Sequence, residues 1–156
     1  MAELKDRLRA DLTTAMKARD SKTLGVLRMA LSAVGTEEVA GDAARELSDD
    51  EVMRVLAREV RKRKEAAEAF QGAGRTEQAA AELAEADVLS GYLPQQLDDA
   101  ELTLIVDKAV AAVAEQTGAQ PGQRQMGLVM KAVNAEVAGR AEGARVAALV
   151  KARLTA

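Results

Sequence analysis

Apolar residues recur along most of this chain at the three- and four-residue steps of an α-helix. Leu4, Leu8, Leu12, Ala15 and Met16 form one stripe. Leu24, Leu27, Leu31 and Val34 form a second, after Asp20-Ser21, which suits an N-cap. Gly25 and Gly35 interrupt that second helix at about 1 kcal/mol each relative to alanine, so close helix packing is their expected use. Ser48-Asp49-Asp50-Glu51 reads as a capping box and predicts a third helix over 49–71, with Val52, Leu56 and Val60 inward. Gly72-Ala73-Gly74 supplies a stop, and a fourth helix follows over 76–91. Pro94 cannot continue a helix and pushes Leu93 out of the helical region. Asp98-Asp99-Ala100-Glu101 opens a fifth helix, whose Leu102, Ile105, Val106, Ala109, Val110 and Val113 make the clearest stripe of all. Met126, Val129, Met130, Val133 and Val137 predict a sixth helix ended by Gly139. Val146, Leu149, Val150 and Leu154 predict a seventh. No segment alternates with period two, so no strand is expected. The expected fold is all-α, with a four-helix N-terminal module over residues 1–92 and a smaller three-helix module over 93–156. Tyr92, Leu93, Pro94 and Leu97 stand at the expected hinge between them.

Composition narrows the chemistry. Hydrophobic residues are 48% of the chain but aromatics only 1%, so Ala, Leu and Val must fill the core and the methionines are expected on it. There is no cysteine and no histidine. Disulfides, thiolate nucleophiles and the usual soft metal sites are therefore excluded, with the commonest general base near neutral pH. No spaced acidic cluster suggests a Mg²⁺ site, so no metal and no cofactor is expected. None of the four serines, Ser21, Ser32, Ser48 and Ser90, sits in a nucleophile motif, and no P-loop appears, so no residue is assigned as catalytic. No apolar run approaches the roughly 20 residues of a membrane span. The opening Met1-Ala2-Glu3-Leu4-Lys5-Asp6 lacks a signal-peptide core, and a cytoplasmic location is expected.

Charge sharpens the picture in the last third of the chain. From Leu93 to Gln123 one base (Lys108) stands against five acids (Asp98, Asp99, Glu101, Asp107 and Glu115), a net −4. From Arg124 to Ala156 six bases (Arg124, Lys131, Arg140, Arg145, Lys151 and Arg153) stand against Glu136 and Glu142, a net +4. Such a tail can contact a few phosphates, although ordinary solvated surface is the plainer reading of charge alone. Arg124 and Lys131 are seven residues apart, hence on one helix face, and Gly127 near that face would allow close backbone approach. The denser run Arg61-Lys62-Arg63-Lys64 points in four directions and is flanked by Glu59, Glu65 and Glu68, so pairing along the helix is its expected use. Tyr92 is expected to pack at the junction, with its hydroxyl in water.

Three stretches resemble the GatB/YqeY family. They are Arg58-Glu59-Val60-Arg61-Lys62-Arg63-Lys64-Glu65 with Ala69-Phe70 and Gly74-Arg75; Tyr92-Leu93-Pro94-Gln95-Gln96-Leu97; and Met126-Gly127-Leu128-Val129-Met130 with Gly139-Arg140-Ala141-Glu142-Gly143, Val146 and Leu149-Val150. The resemblance spans nearly the whole chain and implies a stand-alone YqeY-like protein, similar in its C-terminal part to the tail of the tRNA-dependent amidotransferase B subunit. It implies an all-helical fold and tRNA as partner, with amidotransferase subunits or an aminoacyl-tRNA synthetase as further partners. It also implies grouping with carbon–nitrogen ligase activity using glutamine as amido donor. Carried over by position, it makes Gly127, Lys131, Gly139 and Arg140 candidates for tRNA contact; charge adds Arg124, Arg145 and Lys151. Leu128 and Glu136 depart from the pattern, since polar or basic residues are common there. The glutaminase and ATP-dependent centres of such a ligase are not recognisable in this sequence. A non-catalytic RNA-binding protein is therefore the leading expectation, with a ligase accessory component or a protein–protein adaptor as alternatives.

Overall fold

The computed structural model describes residues 2–155, which form seven α-helices, one 3₁₀ turn and no strand. In chain order these are α1 (Glu3–Lys17), α2 (Ser21–Glu38), α3 (Asp49–Gly72), α4 (Thr76–Ser90), α5 (Asp99–Thr117), the turn Gln123–Gln125, α6 (Met126–Val137) and α7 (Gly143–Thr155). They divide into two compact units, one up to Pro94 and one from Gln95 onward.

In the first unit the core is built from Leu8, Val26, Leu27, Ala30, Val34, Leu47, Val52, Val55, Leu56, Val60, Ala86 and Leu89. Both capping boxes read from sequence are present. The Ser48 hydroxyl accepts from the Glu51 N–H at 3.3 Å while the Glu51 carboxylate accepts from the Ser48 N–H at 2.9 Å. Asp20 caps α2 by accepting from the Thr23 N–H at 3.2 Å. α1 has no side-chain cap of its own, and Asp49 Oδ1, at the start of α3, accepts from the Leu4 N–H at 3.0 Å instead. One carboxylate thus ties the first turn of α1 to that of α3, a contact across 45 residues.

Two expectations about side-chain placement fail. A Cβ placed at Gly25 or Gly35 would meet nothing within 4 Å, so neither glycine serves close packing. Both carry the entropic cost of a helical glycine without compensation, and Gly25→Ala and Gly35→Ala are each expected to raise stability by up to about 1 kcal/mol. Urea midpoints of the two variants check this, and a fall in either midpoint would contradict it. The methionines do not all lie on the core, since Met16 and Met29 are more than half exposed. Met16 sits just beyond buried Ala15 on α1, and Met29 just before buried Ala30 on α2, so each lies past the edge of its buried stripe.

The ten-residue connection between α2 and α3 is held at both ends by carboxylates. Glu38 accepts from Lys5 Nζ at 2.6 and 2.7 Å and from the Leu47 N–H at 3.4 Å. The Lys5 hydrogen bond, opposed by desolvation and aided by Leu47, keeps Glu38 below its ordinary value. Arg45 grips Glu51 through two hydrogen bonds of 2.6 and 2.9 Å, and with the Ser48 N–H this brings Glu51 down to about 2. A carboxyl whose pKa is lower folded than unfolded adds stability above its unfolded pKa, and that stability is lost as pH falls through the folded value. Acid titration is therefore expected to loosen this connection between about pH 4.5 and 2. Amide exchange of Leu47 and Ser48 followed through that window checks it; protection that does not decline would overturn it.

In the second unit Leu97, Leu102, Val106, Ala109, Val113, Val129, Val133, Val137, Val146, Val150 and Leu154 form the core. Asp98 caps α5 reciprocally with Glu101, at 2.7 and 2.9 Å. Gly118 ends α5 at φ +75°, and α6 ends on two consecutive left-handed residues, Ala138 at φ +48° and Gly139 at φ +80°. Arg145 pairs with Asp99 at 2.7 Å and Arg153 with Asp107 at 3.1 Å. Both partnerships span 46 residues, so α5 and α7 run parallel in a fixed register.

Candidate nucleic-acid interface

The two opposite charges read in sequence largely cancel. From Gln95 onward there are seven bases and seven acids, a net charge of zero. α7 places Arg145 and Arg153 against α5, where the acids are. The interface must therefore be judged cation by cation.

Arg140 and Arg145, two of the candidate contacts, are engaged internally. Arg140 lies just past α6 and donates to two of its last carbonyls, Glu136 O at 2.8 Å and Val137 O at 3.1 Å. Those carbonyls are the ones a helix end leaves unpaired, and a cation there also suits the helix dipole. Arg145 donates from Nη1 to Leu97 O at 2.9 Å and from Nε and Nη2 to Asp99 Oδ1 at 3.1 and 2.7 Å. The Leu97 N–H in turn donates to Arg140 O at 2.8 Å. Leu97 is thus held through both backbone groups while its side chain lies buried in the core of this unit. Gly139 supplies the left-handed turn and its carbonyl, which accepts from Gln96 Nε2 at 3.5 Å.

Arg124, Lys131 and Lys151 differ. All three are exposed and none takes part in an ion pair or side-chain hydrogen bond among the described residues. Arg124 lies on the 3₁₀ turn, Lys131 on α6 and Lys151 on α7. At 100° per residue, Lys131 points almost directly away from the buried line Val129–Val133–Val137. Lys151 lies on the flank of α7 opposite the one that carries Arg145 and Arg153 to α5. Exposed Gly127 sits one turn before Lys131, and a Cβ there would meet nothing within 4 Å. Lys108, also exposed and without an ion pair among the described residues, follows Asp107 on α5, about 100° around the helix from it.

The remaining candidates lie elsewhere. Tyr92 and Leu93 pack against the core of the first unit. The Tyr92 hydroxyl is not left to water: it donates to Asp11 of α1 in a short hydrogen bond, and the Arg7 guanidinium lies 4.7 Å from the ring centroid. Burial, reinforced by the Asp11 carboxylate, pushes the Tyr92 phenol well above its ordinary value. The ring is therefore sandwiched by its own unit and offers no free stacking face on the Arg7 side.

Three of the four members of the basic run on α3 are paired, one of them buried, while Lys64 is exposed with no ion pair among the described residues. Arg61 pairs with Glu65, Lys62 with Glu59 and Arg58 with Glu37. Arg63 is only 4% exposed. Its Nη1 donates to the Glu59 carboxylate at 2.9 Å and to Glu59 O at 3.1 Å. Its Nε stands 3.3 Å from Glu85 Oε2 of α4, an ion pair outside hydrogen-bond alignment. Burial alone would raise Glu59, but the bonds from Arg63 and Lys62 hold it below its ordinary value. No spacing rule marks Arg63 for burial, because the acid it faces on α4 is 22 residues away.

A family model described as Yqey-like protein matches residues 5–154. The chain belongs to this family. The match covers nearly the whole length, so both units fall within the Yqey-like region. Comparison with curated proteins gave no match. In this chain Leu97 is clasped between Arg140 O, which accepts from its N–H, and Arg145 of α7, which donates to its carbonyl. No helix among the described residues is long and apolar enough to cross a membrane.

Proposed function

We propose that this Yqey-like protein binds tRNA, or a tRNA–enzyme complex, through its C-terminal helical unit and does no chemistry by itself. The observation that carries the reading is the set of three exposed, unpaired cations, Arg124, Lys131 and Lys151, in a unit whose other arginines are engaged internally. Leaving these charges, and Lys108 with them, unneutralised in a body of zero net charge brings little to stability, since surface charges contribute at most about 1 kcal/mol each. A polyanion is the partner that such charges serve. Gly127 supports the reading because it opens backbone beside Lys131 without filling any packing role inside the protein.

The test is titration of a tRNA panel at two salt concentrations. Lys131→Glu with Lys151→Glu is expected to weaken binding at least tenfold at low salt, with the helical signal unchanged. Gly127→Ala discriminates further: it is expected to leave the fold as stable or more stable, yet to weaken binding by blocking close approach. Wild-type affinity in both variants would remove this surface. Arg140→Glu is a poor probe, because it would remove the guanidinium that donates to Glu136 O and Val137 O at the end of α6.

Leu128, 49% exposed between Arg124 and Lys131, favours a second reading, a protein–protein adaptor. A protein partner that co-purifies after nuclease treatment and is lost in Leu128→Ser would support it. An accessory role in a glutamine-dependent carbon–nitrogen ligase is tested by adding the chain to misacylated tRNA, glutamine, ATP and candidate subunits; no change in amide formation would end that reading.

A further inference from the structure

We infer that the C-terminal surface takes the phosphate backbone of double-helical RNA and reads neither single strands nor base identity. This rests on the RNA-binding reading above and narrows its ligand. Proteins that hold single strands do so by stacking bases on aromatic rings or on free guanidinium planes. From Gln95 onward the chain has no Phe, Tyr, Trp or His. The guanidinium of Arg140 is taken by helix carbonyls, that of Arg145 by Leu97 O and Asp99, and that of Arg153 by Asp107. Among the described residues from Gln95 onward, Arg124 is the one guanidinium without such a partner, and its two companions are lysines. A lysine is a compact point charge suited to a phosphate oxygen, without the rigid planar fork of a guanidinium.

The mounting of these charges argues the same way. Lys131 and Lys151 stand on two packed helices, with Gly127, Ala135, Ala148 and Ala152 exposed along the same helices. Gly127 and Ala135 stand one turn to either side of Lys131, and Ala148 about one turn before Lys151, so small side chains flank both charges. Charges set on rigid helices suit a ligand whose phosphates are themselves held in place. An A-form stem meets that condition, and it is recognised mainly through shape and backbone. A flexible strand would have to be ordered first, with no ring to reward the ordering.

The experiment compares a short RNA hairpin stem with an unstructured RNA of the same number of phosphates, using the full chain at several salt concentrations. The stem is expected to bind at least tenfold tighter, with affinity unchanged within about threefold when its base pairs are permuted. The slope of log K against log salt is expected near −2 to −3, for about three phosphates. Lys131→Gln and Lys151→Gln should each flatten that slope by about one unit, and together abolish the preference for the stem. Equal or tighter binding of the unstructured RNA, strong dependence on stem sequence, or a preference that survives the double variant would each overturn this inference while leaving RNA binding itself standing. No salt-dependent binding of either RNA would remove the RNA reading with it.

Discussion

Truncating Arg63 to alanine is expected to destabilise the protein by about 3–5 kcal/mol, the largest effect of any single charge removed from this chain. The magnitude follows from what is left behind. Arg63 is 4% exposed and bridges Glu59 on its own helix to Glu85 on α4. Without it, the Glu59 carboxylate, with a side chain 13% exposed, keeps only the Lys62 contact at 3.2 Å. An orphaned carboxylate in such a place must either protonate or draw in water, and both cost free energy. Most of the loss is the penalty for the orphan rather than the net worth of the bridge. Arg63→Met combined with Glu59→Leu, which removes both charges and retains bulk, is therefore expected to recover most of the stability. Urea unfolding followed by circular dichroism measures both variants. A loss below about 1 kcal/mol in Arg63→Ala would show that the bridge is replaced by solvent.

Arg145→Ala is the second large expectation, at about 1.5–3 kcal/mol, against under about 1 kcal/mol for Arg153→Ala. Both arginines bridge α7 to an aspartate of α5, so simple counting of ion pairs would rank them together. Their surroundings separate them. The Asp99 partner of Arg145 is 96% exposed, so that ion pair contributes little. The valuable bond is the one to Leu97 O, a backbone carbonyl that receives a charged donor at 2.9 Å. Arg153 has no such backbone partner, and its pair with Asp107 is about half exposed on both sides. Asp99→Asn should accordingly change stability by less than about 1 kcal/mol, although it touches the same arginine. Thermal melts of the three variants decide the ranking; equal losses for Arg145→Ala and Asp99→Asn would place the value in the ion pair instead.

Much of the helical architecture was legible because burial repeats with the helix. Leu102, Val106, Ala109 and Val113 are all buried, and Ile105 and Val110 pack at the edge of the same core, as the 3.6-residue period requires. The starts of α3 and α5 were legible too, because a capping box closes within four residues. What stayed hidden depends on distant contacts. Whether Gly25 touches another helix is set by which face α2 turns inward, and a glycine leaves no mark of that in the sequence. The same holds for the cations. Arg145 and Lys151 look alike in a basic tail, yet the first meets residues 46 and 48 positions earlier while the second meets none. Sequence therefore located a positive tail but could not separate the charges that hold the unit together from those left over.

The clasp around Leu97 bears on where the C-terminal unit begins as a piece of chain. The capping box marks only where α5 begins, at its cap Asp98. The backbone hydrogen bonds start the unit earlier, because the donor to Arg140 O and the acceptor for Arg145 both belong to Leu97, whose side chain also fills the core. An excised C-terminal fragment needs Gln95 or an earlier residue as its first position. One cut at the apparent helix start would lose a core plug and leave Arg145 reaching for a carbonyl that is gone.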